Sequence, residues 1–289
     1  NIWSNSPFGL REGILPIFAV IFILAEKQTI AFYREGIFQP HPRDIDIDYL
    51  AKDPSDIQIR WMDLSEIARS LLSGMANVVR GLDEQNDLRD LEPIDVARGL
   101  ISIYVKLPEW TKRTDDLSKN AKVVRQQFKK ANDPNKFLFD DLPKDLAGQT
   151  DIGTKKGAEE IVDKVGKGLD ELTIAYSSML DSVRNQIFIQ ELDIPNRNPS
   201  SLADLRERAE NIKDLTGDYR LDAFINRISE YDDSDSHVES LISLAISKPP
   251  QIWVDPDIKA AFLELAEMAQ KFVRAESLAR VKGRTDNRQ

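Results

Sequence analysis

The sequence predicts a mainly α protein in which a small winged-helix-like α/β module is followed by a multi-helix bundle. The 289 residues are 41% hydrophobic and 30% charged, a composition typical of globular proteins that bury a core. After Asp63, apolar residues recur at intervals of three and four, which is the period of amphipathic helices. Strand-like runs rich in β-branched and aromatic residues are confined to the first 61 residues. These observations place the sheet in an N-terminal module and helices in the rest of the chain.

Residues 1–62 are the predicted winged-helix-like module, although their order of elements differs from that of a plain winged helix. The most apolar run, GILPIFAVIFILA at 13–25, has 13 residues, whereas a membrane-spanning helix needs about 20. We therefore expect a fully buried helix of a globular core there. Two strand-like runs within 29–40 flank Arg34-Glu35-Gly36 and predict a hairpin. The module is completed by a short helix and an alternating strand, at 41–53 and 57–61.

Residues 63–149 are predicted to form a helical domain that includes a basic helix. Ser65 is placed to cap its first helix, and Pro93 is placed to begin the second. The basic helix, at 117–132, has apolar side chains spaced as on one helical face, namely Leu117, Ala121, Val124 and Phe128. The segment 150–157 is rich in Gly, Thr and Lys, and it predicts a flexible joint at the end of this domain.

Residues 150–289 are predicted to form a long-helix bundle domain. Its first helix, from about 158 to 190, keeps steps of three and four over seven intervals, which is typical of extended helix–helix packing. The stripe consists of Ile161, Val165, Leu169, Leu172, Tyr176, Met179, Val183 and Ile187. Proline residues interrupt this pattern, and shorter helices are then predicted from Ser200 or Ser201, within 219–228, within 238–246, and from Asp255.

The residue types needed for common catalytic and metal sites are scarce. The chain has no cysteine and two histidines, so thiolate or His-based zinc sites and a Ser-His-Asp triad lack their residues. The phosphate-binding loop G-x-x-x-x-G-K-[ST] is absent. Asp44, Asp46 and Asp48 alternate but lack the glycine and closing glutamate of a calcium loop, so we expect a solvated face. We expect the same of the acidic loop Asp232, Asp233 and Asp235.

These absences predict a non-enzymatic chain with no catalytic residue, no cofactor and no bound metal. Because no cysteine, export signal or membrane-spanning run is found, a cytoplasmic location is expected. The chain begins with Asn1 rather than Met, and we therefore expect it to be a fragment or a processed product.

A locally basic window stands out against the net charge of −10. Residues 106–136 contain nine Lys or Arg and four Asp or Glu, a local charge of +5. On the basic helix these charges lie opposite the apolar face, which suits a phosphate backbone or an acidic partner surface. A normal solvated helix face is the other interpretation. The candidate contact residues are Lys112, Arg113, Lys119, Lys122, Arg125, Lys129 and Lys130. Trp110, beside them, is either a stacking platform for a base or a helix-end anchor.

Six segments, in their linear order, resemble the region after the ATPase core of very large P-loop ATPases of bacterial anti-phage defence. The closest named type is the BrxC/PglY-like ATPase of BREX systems. The segments are PFGLREGILPI (7–17), IAFYREGIFQP (30–40), KLPEWTKRTDDLS (106–118), ANDPNKFLFDDLP (131–143), ELTIAY (171–176) and KPPQIWVDPD (248–257). The resemblance implies a parent protein that hydrolyses ATP and acts in phage defence. The Walker motifs of such a parent are absent from this sequence, so no nucleotide-binding residue is carried over.

The preferred function is therefore a non-catalytic helical scaffold and interaction region of a larger bacterial defence ATPase. It would dock protein partners of a defence complex, with DNA as a further candidate partner and no membrane contact. The alternative is a sequence-nonspecific nucleic-acid-binding module that uses the basic face of 106–136. The sequence leaves the partner and the oligomeric state open.

Overall fold

The computed structural model describes residues 5, 7, 9, 11–26, 29–39, 43–61, 64–83, 88, 92–148 and 150–281. Within these residues the chain is mainly helical, with a small three-stranded antiparallel sheet near the N-terminus. The predicted mainly α class with a small α/β module is confirmed. The chain divides into two compact units, residues 1–105 with 123–169 and residues 106–122 with 170–289. Both sequence-predicted domain boundaries, after residues 62 and 149, lie within the first unit, and that three-part division stays a prediction.

The N-terminal module has the predicted order of helix, hairpin, helix and strand. Its elements are α1 (Leu15–Ala25), β1 (Ile30–Arg34), β2 (Ile37–Gln39), α2 (Asp44–Lys52) and β3 (Ile57–Trp61). The strands are ordered β2-β1-β3, and both neighbours pair with β1 antiparallel. Glu35 and Gly36 join β1 to β2 with φ angles of 51° and 75°, the backbone that a two-residue hairpin turn requires. The Arg34-Glu35-Gly36 hairpin prediction is therefore confirmed.

Strand β1 makes contacts on both faces of the sheet, whereas most of β3 is exposed. On one face, Ile30 and Phe32 of β1 form a small core with Ile23 of α1. On the other face, the Tyr33 hydroxyl donates a hydrogen bond to Asp133 Oδ2 at 2.8 Å. Burial and this hydrogen bond raise the pKa of Tyr33 to about 12. Successive side chains of a strand point to opposite faces of the sheet. Strand β1 therefore contacts α1 on one face and the helical part of the same unit on the other.

The described residues after β3 are mainly helical, as predicted. The helices are α3 (Glu66–Leu82), α4 (Pro93–Lys106), α5 (Lys119–Lys130), the single turn α6 (Pro134–Lys136), α7 (Leu142–Ala147), α8 (Lys155–Arg184), α9 (Pro199–Ile212), α10 (Tyr219–Ser229), α11 (Asp235–Ala245) and α12 (Asp255–Val281). π-helical segments follow α6 and α8, at Phe137–Asp141 and Asn185–Glu191.

Helix α8 confirms the predicted long helix, with two differences. It begins at Lys155, three residues earlier than expected, and its last predicted turn is π-helical. The predicted stripe is buried from Ile161 to Ile187, apart from the half-buried Tyr176. The Tyr176 hydroxyl donates to Glu239 Oε1 at 2.7 Å. In the second unit, Met179, Val183 and Ile187 of this stripe share one core with aromatic side chains that include Phe224, Trp253 and Phe272.

Helices α3 and α8 meet in the first unit through two reciprocal glycine–valine contacts. A Cβ atom added at Gly74 of α3 would lie 2.5 Å from Cγ2 of Val162, whereas one added at Gly166 of α8 would lie 3.5 Å from Cγ2 of Val78. The first distance is a clash and the second is ordinary van der Waals contact. Gly74 is thus the residue that allows the two backbones to approach.

These distances predict opposite effects for one methyl group at the two glycines. Gly74→Ala is expected to destabilise the protein by about 1–3 kcal/mol, because the χ1 angle of helical valine is stiff and Val162 cannot turn away. Gly166→Ala is expected to stabilise it by about 0.5–1 kcal/mol through the better helix propensity of alanine. Urea denaturation of both variants and the parent measures the difference. Equal shifts in the two variants would contradict the crossing geometry.

Candidate interaction surfaces

The outer side of α1 is an exposed apolar surface, so the prediction that residues 13–25 are fully buried is wrong. Of the α1 side chains, all described by the structure, Ile23 alone is buried, at 3% exposed. Six large side chains between positions 14 and 24 keep 40–58% of their area exposed, namely Ile14, Ile17, Phe18, Ile21, Phe22 and Leu24. They share one side of the helix because residues three and four apart are neighbours there.

The reason for the exposure lies in the size of the module. Helix α1 is apolar around its whole circumference, and such a helix is buried only when neighbours cover every side. The sheet takes the side that carries Ile23, together with Ile30 and Phe32. No described residue covers the opposite side enough to bury it. The sequence pattern correctly indicated a helix but could not indicate how many of its sides would be covered.

The exposed surface continues onto β3. The Trp61 ring stacks on Phe22 with 6.3 Å between ring centroids, and 56% of Trp61 and 41% of Ile59 are exposed. We define the apolar face as Ile14, which ends the 3₁₀ turn Glu12–Ile14 before α1, the five outer side chains of α1, and Ile59 and Trp61. With about half of each side chain exposed and ~200 Å² for a large one, the face covers about 800 Å². That exceeds the largest apolar patch of a typical monomeric protein, and such patches mark interaction sites.

The alternating aspartates of α2 have different environments. Asp46 is fully buried, accepts a hydrogen bond from Arg34 Nη1 at 2.6 Å and accepts one from the backbone N–H of Arg43 at 2.8 Å. This residue therefore caps α2 and anchors β1 to it, and the expectation that Asp46 is solvated is wrong. Asp44 and Asp48 are exposed. Within the described residues, no three His, Cys, Asp or Glu side chains are grouped so that they could hold a metal ion.

Helix α5 separates its apolar and basic side chains as the sequence predicts. Ala121, Val124 and Phe128 are buried. On the other side, Lys119, Lys129 and Lys130 are exposed, while Lys122 and Arg125 are half-buried. The four lysines make no ion pair with any described residue, so their charge is available to a partner.

The two basic candidates that precede α5 are already paired. Lys112 Nζ lies 2.9 Å from Glu109 Oε1, and Arg113 Nη2 lies 3.4 Å from Glu109 Oε2. The hydrogen bond from Lys112 holds the pKa of Glu109 below its usual value. Part of the local positive charge is thereby neutralised within the chain.

Trp110 is a helix-end anchor, and the stacking interpretation is wrong. It is 2% exposed and packs against Tyr176, with 6.3 Å between ring centroids. Its backbone N–H donates to the carbonyl oxygen of Gln251 at 2.7 Å. A nucleotide base cannot reach the face of a ring that is buried in this way.

The acidic loop that follows α10 is paired but also largely exposed, as expected: the side chains of Asp232 and Asp235 keep 54% and 60% of their area exposed, and Asp233 is half-buried. Asp233 and Asp235 form ion pairs with the buried Arg184 of α8, and Arg197 lies 3.3 Å from Asp233. Burial and a hydrogen bond to Asp233 raise the pKa of Tyr231. The sequence signal for this cluster is Arg184, which directly follows Val183 of the apolar stripe. A charge buried at such a position is costly unless an opposite charge pairs with it. The cluster is a structural tie within the second unit.

A shallow pocket of about 240 Å³ lies between the α9–α10 loop and α12 in the second unit. Its lining includes the apolar Leu215 and Leu221 and the basic Lys271 and Arg274. Lys271 already pairs with Glu267 at 3.0 Å. Thr216 and Asp218 also line the pocket, and Lys271 Nζ lies 3.9 Å from Asp218 Oδ2.

Comparisons of this chain with protein-family models, with curated proteins and with solved structures each found no match. Among the described residues, no helix combines the length and the apolar character needed to cross a membrane.

The two sides of α1 predict opposite responses to one introduced charge. In dilute solution, Ile21→Asp is expected to change the free energy of unfolding by no more than about 0.5 kcal/mol, because the side chain is exposed. Ile23→Asp is expected to cost about 3 kcal/mol or more, because its carboxylate would be buried without a partner. Thermal melts followed by circular dichroism compare the two variants. A large loss of stability in the Ile21 variant would mean that the outer side is covered.

Proposed function

We propose that this chain is a non-catalytic helical scaffold that docks another protein chain, as an interaction region of a larger bacterial defence ATPase. The observation that carries the docking function is the uncovered apolar face of α1 and β3. Burying apolar surface is the main favourable term in most protein associations. A face of this size is costly to leave in water, and a partner chain would remove that cost.

The distribution of charge supports a scaffold. Buried arginines in the second unit form ion pairs and hydrogen bonds within the fold. Arg208, for example, donates to Glu276 at 2.6 Å and to the carbonyl oxygen of Leu192 at 2.8 Å. Removing a partner from such a pair destabilises a fold. These groups therefore maintain the bundle that would present the docking surface.

The place in a defence ATPase rests on the sequence resemblance. Two of its six segments lie next to this surface: segment 7–17 ends within the first turn of α1, and segment 30–40 follows α1. The expectation is that the parent supplies ATP hydrolysis from elsewhere in its chain, while this region supplies a surface for assembly.

A second candidate function, nonspecific nucleic-acid binding, is favoured by the unpaired lysines of α5. Lys119, Lys129 and Lys130 project into solvent from one helix. Phosphate neutralisation by such lysines gives affinity without sequence preference. The net charge of −10 opposes the approach of a polyanion, so this function ranks second.

Site-specific photo-crosslinking in the source cell tests the docking function. With p-benzoylphenylalanine in place of Phe18, we expect a discrete covalent protein adduct, because the ring would lie inside the interface. The same group in place of Leu263, which is 75% exposed on α12, is the matched control and should give none. The docking proposal fails if position 18 gives no adduct, or if both positions give the same products.

Salt-dependent binding of duplex and single-stranded DNA tests the second candidate. A variant with Lys119→Gln, Lys129→Gln and Lys130→Gln is expected to lower the slope of log affinity against log salt by up to about three units. The control variant Lys155→Gln, Lys156→Gln, Lys259→Gln removes the same charge from other exposed positions. Equal slopes for the two variants would assign binding to another surface, and no binding by the parent at low salt would remove this function.

A further inference from the structure

We infer that the occupant of the apolar face is a second copy of this chain, with α1 packed antiparallel against α1 of its partner. The inference rests on the proposed docking function and names the partner for that surface. Three properties of the face support it: the spacing of its side chains, the symmetry of that spacing, and its area.

The spacing on the outer side of α1 fits another helix. Ile14, Ile17, Ile21 and Leu24 follow one another at intervals of three, four and three residues. This is the alternation of core positions along a coiled-coil seam. Phe18 and Phe22 flank the seam on one side and widen it. A helix laid along α1 would place its own apolar side chains between these residues.

The same spacing is symmetric about position 19. In an antiparallel pair centred there, Ile14 of one copy faces Leu24 of the other, and Ile17 faces Ile21. A twofold interface requires such self-complementarity, because the same patch serves both subunits. The segment 14–25 has no charged side chain that would oppose its own copy. The symmetry of the pattern therefore favours a second copy over an unrelated helix.

The area of the face also fits a dimer. Covering the whole apolar face of both copies, with Ile59 and Trp61 included, would bury about 1,600 Å² in total, which is the size of a standard stable interface. Interfaces of that size have micromolar or tighter affinity. Because both copies carry a net charge of −10, added salt is expected to tighten the dimer by screening their repulsion.

A lipid surface fits the face less well. Helices that lie in a membrane interface carry Lys or Arg opposite their apolar side. Helix α1 has no Lys or Arg, and α2, which packs beside it, exposes Asp44 and Asp48. These carboxylates would be repelled by anionic lipids.

Sedimentation equilibrium of the 289-residue chain tests the inference. The parent is expected to dimerise with a micromolar or lower Kd, and the Ile17→Asp, Ile21→Asp variant is expected to weaken the dimer at least 100-fold. Since both side chains are exposed, circular dichroism should show that the variant remains folded. The control Leu263→Asp places a charge on an exposed leucine of α12 and should dimerise like the parent.

Cysteine crosslinking tests the antiparallel register, and the chain has no cysteine of its own to interfere. A mixture of Ile17→Cys and Ile21→Cys chains should oxidise to a mixed disulfide dimer several-fold faster than either variant alone. Faster crosslinking of each variant with itself would indicate a parallel pair and overturn the proposed arrangement.

A parent chain that stays monomeric at about 100 μM, far above a micromolar Kd, would overturn the dimer. Binding of an apolar fluorescent dye to the parent and to the variant then tests the docking function separately from the dimer. Dye binding that is lost in the Ile17→Asp, Ile21→Asp variant would leave the face as a docking site for a different protein. Dye binding that is equal in parent and variant would remove the docking function as well. Binding of the parent to phosphatidylcholine vesicles, lost in the same variant, would replace the second copy with lipid.

Discussion

The apolar stripe of α8 is the constraint on which the helical part of this chain depends. It runs from Ile161 to Ile187, and its residues belong to the cores of both compact units. In the first unit, the contact between α8 and α3 beside this stripe depends on the absence of a side chain at Gly74, since Val162 occupies that space. In the second unit Val183 and Ile187 join the large core that includes Trp253. A helix with this periodicity must bury one face over its whole length, and its neighbours supply the complementary surfaces.

Helix α1 differs from α8 because it is apolar on two sides, and the N-terminal module covers one of them. Ile23 faces the sheet and is buried, while Ile17, Ile21 and their neighbours face outward. Three short strands and α2 do not provide enough surface to enclose an apolar helix. What remains exposed has the spacing of a helix-packing seam, and this gives the module its proposed role in assembly.

The charged residues divide into those that maintain the fold and those left for partners. Asp46, Arg184 and Arg208 are buried and ion-paired, so removal of their partners would destabilise the fold. The lysines of α5 and the outer carboxylates of α2 remain at the surface. The sequence suggested that the alternating and clustered aspartates were solvated, and this was wrong for the buried Asp46 and the half-buried Asp233. Their partners lie far along the chain or on another element, and a local pattern carries no information about such pairing.

The sequence by itself determined the class of the fold and most of its elements. Periods of two and of three to four residues are local properties, so the hairpin at Glu35-Gly36, the stripe of α8 and the two sides of α5 could all be predicted. Only the tertiary structure decided which apolar faces are covered. The run at 13–25 carries the composition of a buried helix, yet burial depends on how much surface distant segments bring to it. From the sequence alone, the candidate docking surface therefore looks like a core helix. The hydrophobic pattern shows that these side chains favour burial, and only tertiary packing decides whether the same chain buries them.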